Sequence, residues 1–344
     1  MNIMVELQHP AHAHQFRYFI KEMEKRGHKI HIITTDKEIT LQLLDSFGLK
    51  YDVIRISVGS LFKKLISLPV CCWKAYKISR KFKPDIFVSR ESPISGVVSR
   101  VINKPHVGFS DTDHVVLLSK ITNRLTDIIV TPACYTRDLG KRQVRIAGYK
   151  ELMYLHPNYF TPDPRVLDEL GLSRNDRFII LRFVSWKAYH DVGHSGIKRK
   201  VDLVKKLERY GRVIITSESP LEPELEQYKL KVPPEKLHDL LYYATLYIGE
   251  GATIASECAI LGTHAIYVNP LRLGYTDEEE KKYDLVYNFS NPETMEQDSF
   301  DKAVELLENP DLAAEGKKKR EKLLNNTIDV TDFMVNIVEQ YKVL

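Results

Sequence analysis

Three histidines, His9, His12 and His14, crowd the segment QHPAHAHQF (8–16), directly after the apolar run IMVEL. An imidazole with an ordinary pKa of about 6.5 can take a hydroxyl proton at neutral pH, which makes this segment a candidate general-base site. The alternative is that these side chains cap the following helix or bind phosphate. A second concentration of polar groups lies in GEGATIASECAILGTHAIYVNP (249–270). Gly249 and Gly251 allow a ligand to approach the main chain, and Ala252-Thr253 begins a helix whose positive end suits a phosphate. Glu257, roughly one turn further in, can accept both hydroxyls of a ribose, and Glu250 sits in the turn itself.

The loop SWKAYHDVGHSG (185–196) offers Ser185, Lys187, His190 and His194 together with two glycines. Main-chain N–H groups near a helix start, with a cation beside them, fit a pyrophosphate. His190, Asp191 and His194 could be read as metal ligands, but the glycine turn and the lack of a further ligand cluster argue against it, so no metal is assigned. Ser217, closing the strand RVIITS, is grouped with these residues. Two further strand ends carry charge: SRESPISG (89–96) with Arg90, Glu91 and Ser92, and FSDTDH (109–114) with Asp111, Asp113 and His114.

These groups need strand ends and helix starts to hold them. IMVEL (3–7), HKIHIITT (28–35), Tyr51–Ile56, DIFVS (85–89) and PHVGFS (105–110) read as strands, separated by helical patterns such as FRYFIKEMEKRG. Phe16, Phe19, Ile20 and Met23 there recur at helical spacing. FIILRFV (178–184), RVIITS (212–217), TLYIG (245–249) and HAIYVNP (264–270) repeat the scheme. Such alternation predicts parallel sheets covered on both faces, and a chain of 344 residues favours two lobes. The predicted organisation is an amino-terminal lobe at 1–155, a proline-bearing connection at 156–177, a second lobe at 178–325, and a helix at 326–344 that returns to the first lobe.

Composition, 43% hydrophobic and 28% charged, is that of a globular protein, and no apolar run approaches the ~20 residues that span a bilayer. A net charge of +4 is too small to imply nucleic acid. Its distribution is uneven, since Val53–Pro84 holds eight Lys or Arg and no acidic residue. The segment 58–83 therefore reads either as a helix in peripheral contact with an anionic membrane or as an amphipathic helix packed on the sheet, interrupted in both cases at Pro69. The four scattered cysteines and the strand at the amino terminus lead to a cytoplasmic expectation, with membrane association at the cytoplasmic face.

Several of these segments carry a resemblance. QHPAHAHQFRYFIKEMEKRGHKI, SWKAYHDVGHSG and PPEKLHDLLYYATLYIGEGATIASECAILGTHAIYVNP resemble GT-B glycosyltransferases and the UDP-N-acetylglucosamine 2-epimerases. GYKELMYLHPNYFTPDP and RFVSWKAYHDVGHSG are similar to signatures of an uncharacterised archaeal and bacterial family grouped with them. The resemblance implies a GT-B fold, two Rossmann-like lobes facing a central cleft, and a nucleotide-sugar enzyme without a further cofactor. By similarity to the peptidoglycan UDP-N-acetylglucosamine transferase, Glu257 takes the place of the ribose-binding glutamate, Val232–Leu237 matches the turn framing the uracil, and His12 falls on the glycine-loop histidine. His12 is thus the favoured base, with His14 close behind. Retaining GT-B transferases carry two glutamates eight apart, whereas Glu250 and Glu257 are seven apart, so inversion is expected.

The leading expectation is transfer of a sugar, an N-acetylhexosamine by preference, from a UDP-sugar to a polysaccharide or lipid-linked acceptor. His9, Arg90, Glu91, Ser92, Asp113 and His114 are assigned to the acceptor side. The rival is a UDP-N-acetylglucosamine 2-epimerase, in which acidic loop residues, Asp111 first, would exchange a sugar proton. A non-catalytic nucleotide-sugar-binding protein is the second rival, which the histidine-rich first turn weighs against.

Overall fold

Strand order reverses once in each of two parallel sheets, and candidate residues lie at both reversals. The structure is a computed structural model that describes residues 1–36, 38–54, 61–111, 116–185, 196–217 and 219–341, with the side chains of 38, 61–66 and 116–120 left aside. The chain divides into two units, Met1–Tyr154 with Ile328–Leu344, and Leu155–Thr327.

In the first unit, β1 (Asn2–Leu7), β2 (Lys29–Thr34), β3 (Tyr51–Val53), β4 (Ile86–Arg90), β5 (His106–Phe109), β6 (Ile128–Pro132) and β7 (Gln143–Ile146) form a sheet in the order β3-β2-β1-β4-β5-β6-β7. All neighbours are parallel. The helices are α1 (Pro10–Lys25), α2 (Glu38–Ser46), α3 (Leu61–Phe82), α4 (Pro93–Val101), α5 (Val116–Leu125) and α6 (Leu152–Leu155). Phe16, Phe19, Ile20 and Met23 of α1 are fully buried, as their spacing predicts, each contributing roughly 1.5–3 kcal/mol of apolar burial. The order reverses between β1 and β4, where a doubly wound sheet opens a crevice beyond its strand ends.

The second unit holds α7 (Arg165–Asp168), α8 (Lys200–Leu207), α9 (Leu237–Tyr243), α10 (Ala252–Leu261), α11 (Gly274–Glu278), α12 (Met295–Glu308) and α13 (Leu312–Asn325). Its strands are β8 (Phe178–Phe183), β9 (Arg212–Ser217), β10 (Leu246–Gly249), β11 (Ala265–Val268) and β12 (Val286–Phe289), parallel in the order β12-β11-β10-β8-β9. The reversal here lies between β8 and β10. Ile179, Leu181, Ile248, Ile266 and Val268 of the sheet meet Val204, Leu207 and Leu306 in the core. The stretch 156–177 belongs to this unit: Val166 and Leu167 are buried, and the Asp163 N–H donates to Asp239 Oδ1 at 2.8 Å. The last helix, α14 (Val330–Gln340), packs on the first unit, where Thr331 Oγ1 donates to the Met153 carbonyl at 2.8 Å.

Two local readings are corrected. The first helix starts at Pro10 rather than near Phe16, because His9 caps it and Pro10 occupies its first position, where a missing N–H costs nothing. Pro69 does not interrupt α3, which runs on through it. Cys71 and Ala75 beyond the proline are buried against Met4, Phe87, Ile94 and Val98, and this packing offsets the one lost main-chain bond.

Candidate functional site

At the end of β1 the histidines take three different environments. His9 is exposed, and its Nδ1 accepts the Ala11 N–H at 3.2 Å as the cap of α1. His12 is partly buried, with Nδ1 accepting the Gln8 N–H at 3.2 Å and its ring centroid 6.0 Å from that of His9. His14, two positions on, turns to the other side of the helix and is buried between Phe47 and Tyr154, with centroids 5.4 and 5.8 Å away. Two residues of helix rotate a side chain by about 200°, so His12 and His14 do not share a face.

The β1–β4 crevice is filled by a residue that the sequence reading passed over. Glu6 is buried and its Oε2 accepts the Ser95 N–H at 3.0 Å and the Ser92 hydroxyl at 2.6 Å, with the Ser95 hydroxyl as a third donor. Gln8 donates to Oε1 and also to Ser92 Oγ, the latter at 3.1 Å. Ser92 is the N-cap of α4, accepting the Ile94 N–H at 3.1 Å. A carboxylate is therefore already seated at the positive end of α4.

Beyond β4, β5 and β7 lies a buried ion network. Arg90 pairs with Asp111 Oδ1, Lys150 Nζ stands 2.6 Å from Asp111 Oδ2 and 2.5 Å from Glu151 Oε1, and Ser110 donates to Glu91. Lys150 is only 3% exposed. Arg90 and Lys150 pair with Asp111 and Glu151, and such pairing is the condition under which charged groups tolerate burial. Of the expected site residues, Arg90 and Asp111 thus come together with Lys150 and Glu151, and Ser92 with Glu6. Lys150 and Glu151 sit in GYKELMYLHPNYFTPDP, a segment that carries the family resemblance but nothing that singles out these two side chains. Asp113 and His114 lie outside the described residues.

In the second unit, Gly249 ends β10 where an added Cβ would stand 2.7 Å from Arg182 Cβ and against the Tyr247 hydroxyl, so no side chain fits. Gly251 has ordinary room and caps α10 without a side chain. The first turn of α10, from Ala252 and Thr253, contains no acidic residue. The buried Tyr247 hydroxyl donates to the Gly251 carbonyl at 3.2 Å, and burial pushes its phenol well above the ordinary range. Glu257 is 5% exposed and lies 3.0 Å, through Oε1, from Nε2 of the buried His238 on α9. It is neither a solvated surface residue nor an isolated ligand. Glu250 is also buried, and main-chain N–H groups from both flanks of 185–196 reach its carboxylate. Ser185 follows β8 at the same edge, and Ser217 ends β9 with its hydroxyl donating to the Ser219 carbonyl at 2.8 Å. Lys187, His190 and His194 lie outside the described residues. Pro234–Lys236, within the expected uracil turn, is a short 3-10 helix.

Two doubly wound parallel α/β units of this kind are the GT-B fold, and solved GT-B structures match the chain over nearly its whole length. A putative UDP-N-acetylglucosamine 2-epimerase from Listeria monocytogenes is 12% identical with a TM-score of 0.69, covering 99% of this chain and 96% of that one. S. aureus MnaA in a co-structure with UDP is 11% identical at a TM-score of 0.69, with the same shares of 99% and 96%. The spinosyn rhamnosyltransferase SpnG, complexed with thymidine diphosphate, is 13% identical at 0.65, covering 99% of each chain. The chain belongs to the family described as "Protein of unknown function (DUF354)", whose model matches residues 1–342. A relative, an uncharacterized protein of Methanocaldococcus jannaschii, is 22% identical over 286 residues, covering 79% of this chain and 83% of that protein.

Proposed function

We propose that this protein is a GT-B glycosyltransferase that moves a sugar, an N-acetylhexosamine by preference, from a UDP-sugar to a polysaccharide or lipid-linked acceptor with inversion at C1. The observation that carries the reading is the start of α10 at the β8–β10 reversal. A side-chain-free cap at Gly251, a first turn without acidic residues and the obligatory glycine at 249 leave main-chain N–H groups suited to a diphosphate. Diphosphate nucleotides bound to two proteins of the same fold, UDP in one and thymidine diphosphate in the other, support it. Glu257 is assigned to the ribose, held in place by His238.

In the reaction the acceptor oxygen attacks C1, the bond from C1 to the diphosphate breaks, and UDP leaves with the bonding electrons. The N–H groups of α10 and Lys187 stabilise the charge that develops on the leaving group. The acceptor proton passes to His12. A neutral His12 whose Nδ1 accepts from Gln8 carries its own proton on Nε2. Base action at Nε2 therefore requires the other tautomer and release of a long hydrogen bond worth about 1 kcal/mol.

The test is calorimetry and thermal shift with UDP, thymidine diphosphate, GDP and ADP, followed by incubation with UDP-N-acetylglucosamine with and without glycan acceptors. Binding of UDP with acceptor-dependent sugar loss supports the transferase, whereas no stabilisation by any of the four nucleotides overturns it. The carboxylates Glu91 and Asp111 at neighbouring strand ends favour a second reading, a 2-epimerase, which would give an epimer or free sugar from the sugar nucleotide alone. Binding with no product under either condition would mark a non-catalytic nucleotide-sugar-binding protein.

The acceptor side adds a partner. No helix among the described residues is long and apolar enough to cross a membrane. On α3, however, Val70 and Trp73 are 54% and 56% exposed, and Lys77, Arg80, Lys81 and Lys83 follow with no acidic residue among them. Lys77 Nζ lies 3.5 Å above the Trp73 ring. An exposed indole beside cations fits the interface of an anionic bilayer, which we assign as a peripheral contact at the cytoplasmic face.

A further inference from the structure

Two helices start at the β1–β4 reversal, and both starts are capped from within the chain. At α1, Pro10 has no N–H, the Ala11 N–H goes to the His9 ring, and the His12 N–H goes to the His9 carbonyl at 2.9 Å. At α4 the occupant is a carboxylate. Glu6 lies next to the end of β1, in register with Ser89 of β4, and its side chain reaches the first turn of the helix. Oε2 accepts the Ser92 hydroxyl at 2.6 Å, the Ser95 N–H at 3.0 Å and the Ser95 hydroxyl, while Gln8 Nε2 donates to Oε1. Glu6, Ser92 and Ser95 are 1%, 2% and 0% exposed, and the first turn of α4 has no acidic residue of its own. In the second unit α10 starts differently, on Gly251, which caps it without a side chain.

We propose that Glu6 is a specificity-determining residue: it fills from within the place where this crevice would otherwise seat a phosphate, so that the group entering the first unit's crevice is uncharged. A helix start with converging N–H and hydroxyl donors is the arrangement that holds phosphates and carboxylates. Here those donors are engaged by a side chain of the same unit, which loses no translational freedom in taking its place, whereas a free anion does. A second anion would also stand a few ångströms from a like charge in a buried setting, where water screens little. The carboxylate suits the seat because it only accepts, and it meets donors at both oxygens. On the glycosyltransferase reading, on which this last step alone rests, the entering group belongs to the acceptor, which meets the first unit through hydroxyls and not through a phosphate.

Amide hydrogen exchange at Ser95, on the intact chain, reads the seat directly. In the wild type, added phosphate or formate should leave Ser95 exchange where chloride at equal ionic strength leaves it. Glu6→Ala should speed it roughly tenfold, and millimolar formate should return it to within about threefold of wild type, whereas formamide, similar in shape and uncharged, should not. Where Glu6→Ala does not fold alone, refolding yield with and without formate replaces the exchange readout. Protection of Ser95 by phosphate in the wild type would show that the crevice admits anions and would overturn the proposal. So would a Glu6→Ala chain that formate neither protects nor refolds, or one that formamide restores equally well. No nucleotide enters the experiment, so a wild type that binds no UDP removes the acceptor assignment and leaves the exclusion of anions standing.

Discussion

Lys150 and Asp111 form a buried ion pair, Nζ to Oδ2 2.6 Å, although they are 39 positions apart and come from the ends of different strands. Arg90 and Glu151 belong to the same network. Removing one member leaves an uncompensated charge in the interior, so Lys150→Met or Asp111→Asn is expected to lower unfolding free energy by about 3–5 kcal/mol. Urea denaturation checks this, and a loss below about 1 kcal/mol would mean that water reaches the network.

The histidine pair on α1 should separate by phenotype. His12→Ala is expected to abolish turnover and leave UDP affinity within a few-fold. His14→Ala empties an aromatic pocket between Phe47 and Tyr154 and is expected to cost about 2–4 kcal/mol of stability, with turnover kept well below the melting temperature. Equal activity in His12→Ala and wild type would remove His12 from the mechanism.

Glu257→Ala is expected to weaken UDP binding at least tenfold. His238→Ala should do so less, since it frees the carboxylate without deleting it. Calorimetry with UDP and with inorganic pyrophosphate separates a ribose contact from a general loss of fold, because only the former spares the ribose-free ligand.

Acid should destabilise the protein through two core histidines. Burial pushes His106 down to about 3 and His264 down to about 4, with Lys319 beside the latter adding to the shift. The unfolded chain titrates these groups near 6.5, so between that pH and the folded values it binds more protons than the native state. Their stabilisation is complete above about pH 6.5 and is lost as pH falls, at up to about 1.4 kcal/mol per pH unit for each histidine. His106→Gln should flatten the slope of unfolding free energy against pH between 6.5 and 4.5.

Vesicle binding tests the α3 surface. Co-sedimentation with vesicles containing anionic lipid at moderate salt is expected for the wild type and reduced severalfold in Trp73→Ser. Equal sedimentation with neutral and anionic vesicles would count against the assignment.

Strand-helix alternation was legible because buried parallel strands are short apolar runs, as in FIILRFV and IMVEL. β6, β7 and β12 escaped the reading. QVRI alternates polar residues at the end of its sheet, and VYNF follows a polar turn, so neither carries a long apolar signal. At the site, Glu250 and Glu257 stood out by their places beside a glycine turn, but their partners, Val184, Ile197 and His238, are set by tertiary contact alone. Glu6 was hidden for the same reason: a carboxylate inside an apolar strand reads as a surface residue until the serines at the start of α4 are known to face it.

The return of α14 to the first unit means that the two units cannot be separated at a single point of the chain. Leu155–Thr327 is one uninterrupted stretch, whereas the first unit takes α14 from beyond Thr327. Val330 packs so closely on Gly148 that a Cβ there would stand 2.7 Å from it, and the Ile328 N–H donates to the Ala147 carbonyl at 2.8 Å. A cut after Thr327 would therefore leave the second unit whole and take a helix from the first.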